Sequence, residues 1–285
     1  MDETKDALRS HFYVLAESPV EAQRLHQQSL LVEEGTRQIF DGLGLAPGMR
    51  CIEIGCGHGD IMMALGDRVG HAGTVVGVDL DGELGLRVVE QLNRTGQARF
   101  TFKQGDVTDP NTLPRDQFDV VAARFLLIHL ADPAAALRAM WDLTKPGGVL
   151  VVFDWDLRTH STYPEFPPAQ EIIRLFEGVY GAPGRDCHIG SKLPGLFGLS
   201  GVGTPDGAKV FCIIEPLEKL REHILLQYRG VLPTAIKLGV TTAERSDAVI
   251  AAMEALPPEN CSYWLGALYF GVWKRKSEEA GHHCS

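Results

Sequence analysis

Apolar residues along this chain change their spacing in a regular order. Short apolar runs at Arg50–Ile54, Thr74–Val78, Ala98–Lys103, Phe118–Ala123 and Val149–Phe153 have the length and composition of buried strands. Between them Asp60–Val69, Gly82–Thr95 and Pro133–Leu143 carry apolar residues at helical spacing, with a shorter helical piece near Pro110–Leu113. Strict alternation of strand and helix implies parallel pairing with both faces of the sheet covered, which predicts a doubly wound α/β fold.

The flanks follow a different rhythm. A helix is expected from Val20 to Phe40, closed by Gly42 and Gly44, with a shorter one over Lys5–Leu15 ahead of it. Beyond Phe153, a Pro-rich link at Tyr163–Pro168 leads to helices near Ala169–Tyr180 and Leu193–Leu199. Strands return at Ala208–Glu215 and Tyr263–Trp273, separated by helical patterns at Leu217–Gln227 and Thr242–Leu256. Inserts of that length read as caps. The domain plan is a helical lid over 1–45 and one domain over 46–285, with cap insertions at about 157–199 and 217–256.

Composition narrows the function. With 285 residues and ordinary apolar and charged fractions, one large core is expected, and a net charge of −10 disfavours a nucleic-acid surface. The six cysteines lack CxxC spacing, the N-terminus lacks the pattern of a secretory signal, and no apolar run is long enough to span a bilayer. A cytoplasmic protein without membrane, nucleic-acid or metal partners is expected. A homodimer through the N-terminal helices is an expectation drawn only from the frequency of symmetric oligomers.

The chemistry is concentrated at Cys51-Ile52-Glu53-Ile54-Gly55-Cys56-Gly57-His58-Gly59-Asp60, a strand running into a Gly-rich turn before a helix. Glycines there let the chain turn sharply and let a ligand press on the main chain. A dinucleotide fingerprint wants its third glycine where this chain has Asp60. Asp79, after Val75-Val76-Gly77-Val78, can accept from both hydroxyls of a ribose, which suits NAD as well as S-adenosylmethionine. Further along stand Gly105-Asp106-Val107, Phe118-Asp119-Val120-Val121 and Lys145-Pro146-Gly147-Gly148.

In this order and spacing the motifs resemble the class I S-adenosylmethionine-dependent methyltransferases, strongly over Pro47–Asp156 and loosely beyond. The resemblance implies a Rossmann-like seven-stranded sheet of order 3-2-1-4-5-7-6, strand seven antiparallel. The cofactor would lie over the carboxyl ends of strands one, two and four. It puts Gly55 and Gly57 under the methionine part, Asp79 on the ribose, Leu80 on the adenine face, and Asp106 and the Val107 backbone at the adenine edge. The Arg124 backbone would line the cofactor, and Gln28 would reach its methionine end. Glu53 would orient the turn or the cofactor amine, or satisfy local amides. In the resembling phosphobase methyltransferases, a His five residues after that Arg pairs with a lid Tyr; the matching residues are His129 and, by place alone, Tyr13.

Asp154 and Asp156 flank Trp155 at the end of the fifth strand, and Asp154 joins His129 and Tyr13 as a catalytic candidate for holding or deprotonating an acceptor. His188 sits in a lid loop and reads as exposed. The leading expectation is methyl transfer to a small, partly aromatic metabolite. RNA or protein methylation is the alternative, although Arg124-Phe125-Leu126-Leu127 replaces the Pro-Pro-aromatic segment common in base and amide N-methyltransferases. A non-methylating cyclase or binding protein of the same fold also fits the motifs.

Overall fold

The computed structural model describes residues 19–114, 117–257 and 259–278, with side chains from residue 31 onward. Helix α1 (Pro19–Gly42) precedes an alternation of β1 (Arg50–Ile54), α2 (Asp60–Val69), β2 (Thr74–Asp79), α3 (Gly82–Thr95), β3 (Arg99–Gln104), β4 (Phe118–Arg124), α4 (Pro133–Leu143) and β5 (Thr144–Asp156). Then follow β6 (Ser161–Tyr163), α5 (Pro167–Tyr180), α6 (Ile189–Leu199), β7 (Gly207–Pro216), α7 (Leu217–Lys237), α8 (Ala243–Glu254) and β8 (Tyr263–Arg275). The expected helices Asp60–Val69, Gly82–Thr95 and Pro133–Leu143 have the bounds read from the sequence. Asp81 and Asp132 cap α3 and α4 by accepting from Leu84 N–H and Ala135 N–H, and Pro133 sits in the first turn of α4, where no N–H is needed.

The sheet has eight strands in the order β3-β2-β1-β4-β5-β8-β6, with β7 also paired to β8. β1 to β5 are parallel, and β8 runs antiparallel to β5, β6 and β7. This matches the expected order except for one additional strand. Leu268 pairs with Asp156 on one side and Cys212 on the other, and Leu265 pairs with Ser161 and Ile214, so β6 prolongs the edge that β5 begins. Only three residues form β6, too few for a period of two to show in the sequence.

Side-chain alternation sorts the core into two layers. Cys51, Val120, Val151 and Phe153 face α1, α2 and α3, whereas Ile52, Val121, Leu150 and Val152 face α4 and α6. A third apolar cluster joins α5, α7, α8 and the start of β8 around Phe176, Tyr228 and Trp264. Helix α7 continues ten residues past the expected Gln227, through Gly230 and Pro233, because Val231 and Ala235 are buried in that cluster. Trp155 packs against all three clusters, at the carboxyl edge of the sheet. No helix among the described residues is long and apolar enough to cross a membrane.

Candidate cofactor and acceptor site

The carboxyl ends of β1, β2 and β4 converge on the Gly-rich turn. Gly55, Gly57 and Gly59 have φ of 73°, 43° and 81°, a region that side chains other than glycine rarely adopt. A Cβ on Gly59 would lie 2.6 Å from Val88, and one on Gly55 3.1 Å from Leu126, so these two glycines admit helix α3 and the turn after β4. A Cβ on Gly57 would meet nothing within 4 Å. Open space beside a left-handed glycine at a helix N-terminus is where a ligand can touch the main chain.

Carboxylates organise this turn. Asp79 is 5% exposed and accepts from Gly57 N–H at 2.8 Å and Asp81 N–H at 3.2 Å. A carboxylate has about four acceptor positions, which leaves capacity for two hydroxyls of a ribose. Glu53, on the face toward α2, is buried and accepts from Met62 N–H at 2.9 Å. Burial pushes its carboxyl well above the usual range, opposed by the charge of Arg124 and reinforced by Asp60 and Asp79. The Arg124 guanidinium stands 3.7 Å from Asp60 and 5.4 Å from the centre of the Phe125 ring.

On the far side of β2, Leu80 is 41% exposed beside Asp79, an apolar surface at the tip of the strand. One Asp106 carboxylate oxygen accepts from Thr108 N–H at 2.8 Å and Thr108 Oγ1 at 2.7 Å, a local turn that sets the Asp106–Val107 backbone. The Val107 side chain is buried in the α4 layer. Glu53, Gly55, Gly57, Asp79, Leu80, Asp106, Val107 and Arg124 all belong to the ends of β1 to β4 or to the turns leaving them. Tyr13 lies outside the described residues, as does the side chain of Gln28 on α1.

The turn after β4 bounds the other side. Phe125 takes φ of 56°, an uncommon conformation for a bulky residue, and its ring stacks on Trp155 at 4.9 Å and 6° between planes. Tyr269 completes the group at 5.2 Å from Trp155 and 5.6 Å from Phe125. His129 ends the next short turn and is exposed, with its ring 6.3 Å from that of Tyr180 at the end of α5.

The two carboxylates flanking Trp155 point away from its ring, on the opposite face of β5. Asp154 is fully buried and accepts from Ile128 N–H at 3.1 Å and its neighbour Trp155 N–H at 2.9 Å, with a further bond from the Leu127 backbone. Burial raises its carboxyl to about 7 against these donors. Asp156 is 1% exposed and is held by Arg158 and by His188 Nδ1 at 3.2 Å. Burial alone would raise the Asp156 carboxyl; hydrogen bonds from Arg158 and Ser191 outweigh it and keep the group below the usual carboxylate range. His188 therefore sits partly buried against Asp156, where the sequence suggested exposure.

Sequence reasoning singled out neither Tyr180, Phe125, Thr36 nor Tyr269. Their roles come from pairings between distant segments, such as Trp155 opposite Tyr269 across β5 and β8, which no local spacing encodes.

Comparison with known proteins agrees with this geometry. Residues 45–176 match the family described as a methyltransferase domain. Nocamycin O-methyltransferase from Saccharothrix syringae is 30% identical over 112 residues, 39% of this chain and 40% of its own. Phosphoethanolamine N-methyltransferase 3 from Arabidopsis thaliana is 30% identical over 135 residues, 47% of this chain and 26% of its own. The chain thus spans less than half the length of these curated relatives. Among solved structures, the YcgJ protein from Bacillus subtilis superposes with a TM-score of 0.54 at 18% identity, covering 85% of this chain and 97% of its own, a likeness of fold. The fold, the motif order and the family match together identify residues 45–176 as a domain of the class I S-adenosylmethionine-dependent methyltransferases.

Proposed function

We propose that this protein transfers a methyl group from S-adenosylmethionine to a small, partly aromatic metabolite. The observation that carries the cofactor half is the charge of the glycine turn. Asp79 and Asp60 stand at it, offset among the described residues by the Arg124 guanidinium. That setting suits a cation and opposes the pyrophosphate of a dinucleotide.

S-adenosylmethionine supplies a methyl carbon already activated by its sulfonium. The remaining tasks are alignment, exclusion of water and removal of an acceptor proton. Asp79 holds the ribose, Leu80 covers the adenine, the Asp106–Val107 turn meets its edge, and the Arg124 backbone and Gln28 face the methionine end. Glu53 fixes the turn through Met62 N–H. His129 takes the acceptor proton, with an intrinsic pKa suited to work near neutrality, and Tyr13 closes over it from the lid. Asp154 acts through the turn it holds, as a positioning residue for His129.

Support for a small acceptor is the stacked Phe125–Trp155 pair beside the turn and the helical layers α5, α7 and α8 around the carboxyl edge. Relatives that methylate at oxygen and at nitrogen share the domain, so the acceptor atom is left to experiment. Incubation with methyl-labelled cofactor and panels of flat phenols and amines tests the proposal. Label transferred to a small acceptor, and lost in His129→Ala, is the expected result; label transferred only to RNA or protein would overturn it.

A further inference from the structure

Helix α1 is tied to the glycine turn by a buried polar relay in a region otherwise packed with apolar side chains. Thr36 Oγ1 donates to the Val32 carbonyl at 3.0 Å, which leaves it to accept from the Tyr269 hydroxyl at 2.7 Å. Both residues are buried, at 3% and 1% exposure. Arg124 neighbours the same Tyr269: its guanidinium stands 5.4 Å from the centre of the Phe125 ring, itself 5.6 Å from the Tyr269 ring. It opposes the rise that burial gives the Tyr269 pKa and faces Asp60 in the first turn of α2. The relay therefore runs from α1 through β8 and the end of β4 to the helix that begins at the cofactor turn.

The fold around it makes the hydroxyls specific. Tyr269 sits in a cross-strand row with Trp155 and Phe211, and the row lies beneath α1. Gly35 lets α1 approach, since a Cβ there would meet the Phe211 ring at 2.8 Å. Apolar contacts alone would seat α1; a polar pair this deep is costly unless satisfied and fixes one register.

The course of α1 says what that register controls. Asp41 meets Arg68 at the far end of α2, Thr36 meets Tyr269 opposite Trp155, and Leu31 packs on the α5–α7–α8 cluster at the carboxyl edge. From Leu31 back to Pro19 the helix extends about 18 Å further, at about 1.5 Å per residue. Its N-terminal half thus projects beyond the edge on which the cofactor turn opens.

We propose that Thr36, Tyr269 and Arg124 are positioning residues that set the N-terminal half of α1 over the cofactor, so that the helix and the cofactor stabilise one another. This rests on the cofactor reading above. Occupying the turn fixes Arg124 and Asp60, the relay passes that order to Thr36, and α1 is held closed.

The test compares Thr36→Val with Thr36→Ser, and adds Tyr269→Phe, in the full chain. S-adenosylhomocysteine affinity is measured by calorimetry, and amide exchange of α1 is followed with and without that ligand. Thr36→Val and Tyr269→Phe should weaken binding about fivefold or more and remove the ligand-induced protection of α1, while Thr36→Ser stays within about twofold of the parent. A packing role would reverse the order at Thr36, because Val keeps the shape and Ser loses the methyl; that result would overturn the relay alone. Failure of the parent protein to bind S-adenosylhomocysteine would overturn the cofactor reading and this proposal with it.

Discussion

The half of the molecule around the glycine turn and the half built from α5, α7 and α8 are held by different means. At the turn, three left-handed glycines and two buried carboxylates each occupy a position few other residues can fill. In the cap cluster, Phe176, Tyr228, Val231 and Leu220 contribute shape and apolar area, and neighbours of similar volume could replace them. Residue identity is thus dictated at the turn by backbone conformation and charge, and in the cap chiefly by polarity.

The sharpest way to break this comparison is Gly59→Ala. Its φ of 81° and the 2.6 Å approach to Val88 combine strain with overpacking, and a loss of about 3 kcal/mol is expected in urea denaturation. A loss no greater than that of an average cap substitution would contradict the distinction.

His160 tests the cap from the other direction. Its ring lies 5.3 Å from Trp264 and 6.3 Å from Phe176, its Nδ1 is buried without a hydrogen-bond partner, and burial lowers its pKa from 6.5 to about 4. The unfolded chain therefore takes up the proton first. Stability should be complete above about pH 6.5 and fall as the pH drops toward 4, by about 2–3 kcal/mol more in the parent than in His160→Phe. Parallel pH profiles of the two proteins would exclude the effect.

Removal of the buried carboxylate in Asp154→Ala strips the acceptor from backbone N–H groups of Leu127, Ile128 and Trp155 and should cost about 2 kcal/mol. Trp155 fluorescence should shift in the folded variant, as the turn carrying Phe125 loosens. An unchanged spectrum would argue against Asp154 as the anchor of that turn. The smallest effect expected is Tyr228→Phe in the cap, where one bond to Ser246 at 3.2 Å is lost, about 1 kcal/mol by denaturant melting.

The same contrast explains what could be read in advance. Asp60–Val69 and Gly82–Thr95 are bracketed by glycines, an Asp cap and regular apolar spacing, and their bounds were legible residue by residue. The Gly-rich turn and Asp79 were legible because a left-handed turn and a strand-tip carboxylate leave few choices of residue. The three-residue β6 was not, and neither was the passage of α7 through Gly230 and Pro233, where burial in the cap outweighs local preference. Likewise Asp154 and Asp156 looked like an open pair around Trp155; the period of two that puts both on one face of β5 also buries them there. Which groups satisfy those carboxylates depends on Ile128 and His188, 26 and 32 residues away in the chain.

Calorimetric titration of the parent protein and of Asp79→Ala with S-adenosylhomocysteine, and with NADH as control, tests whether the glycine turn and Asp79 hold this cofactor. Saturable binding by the parent, no binding of NADH, and a loss of about a hundredfold or more in the variant are expected, as two hydrogen bonds to a charged acceptor are worth about 1.5–3 kcal/mol each. Binding of NADH by the parent, or equal affinity of both proteins for S-adenosylhomocysteine, would contradict that role.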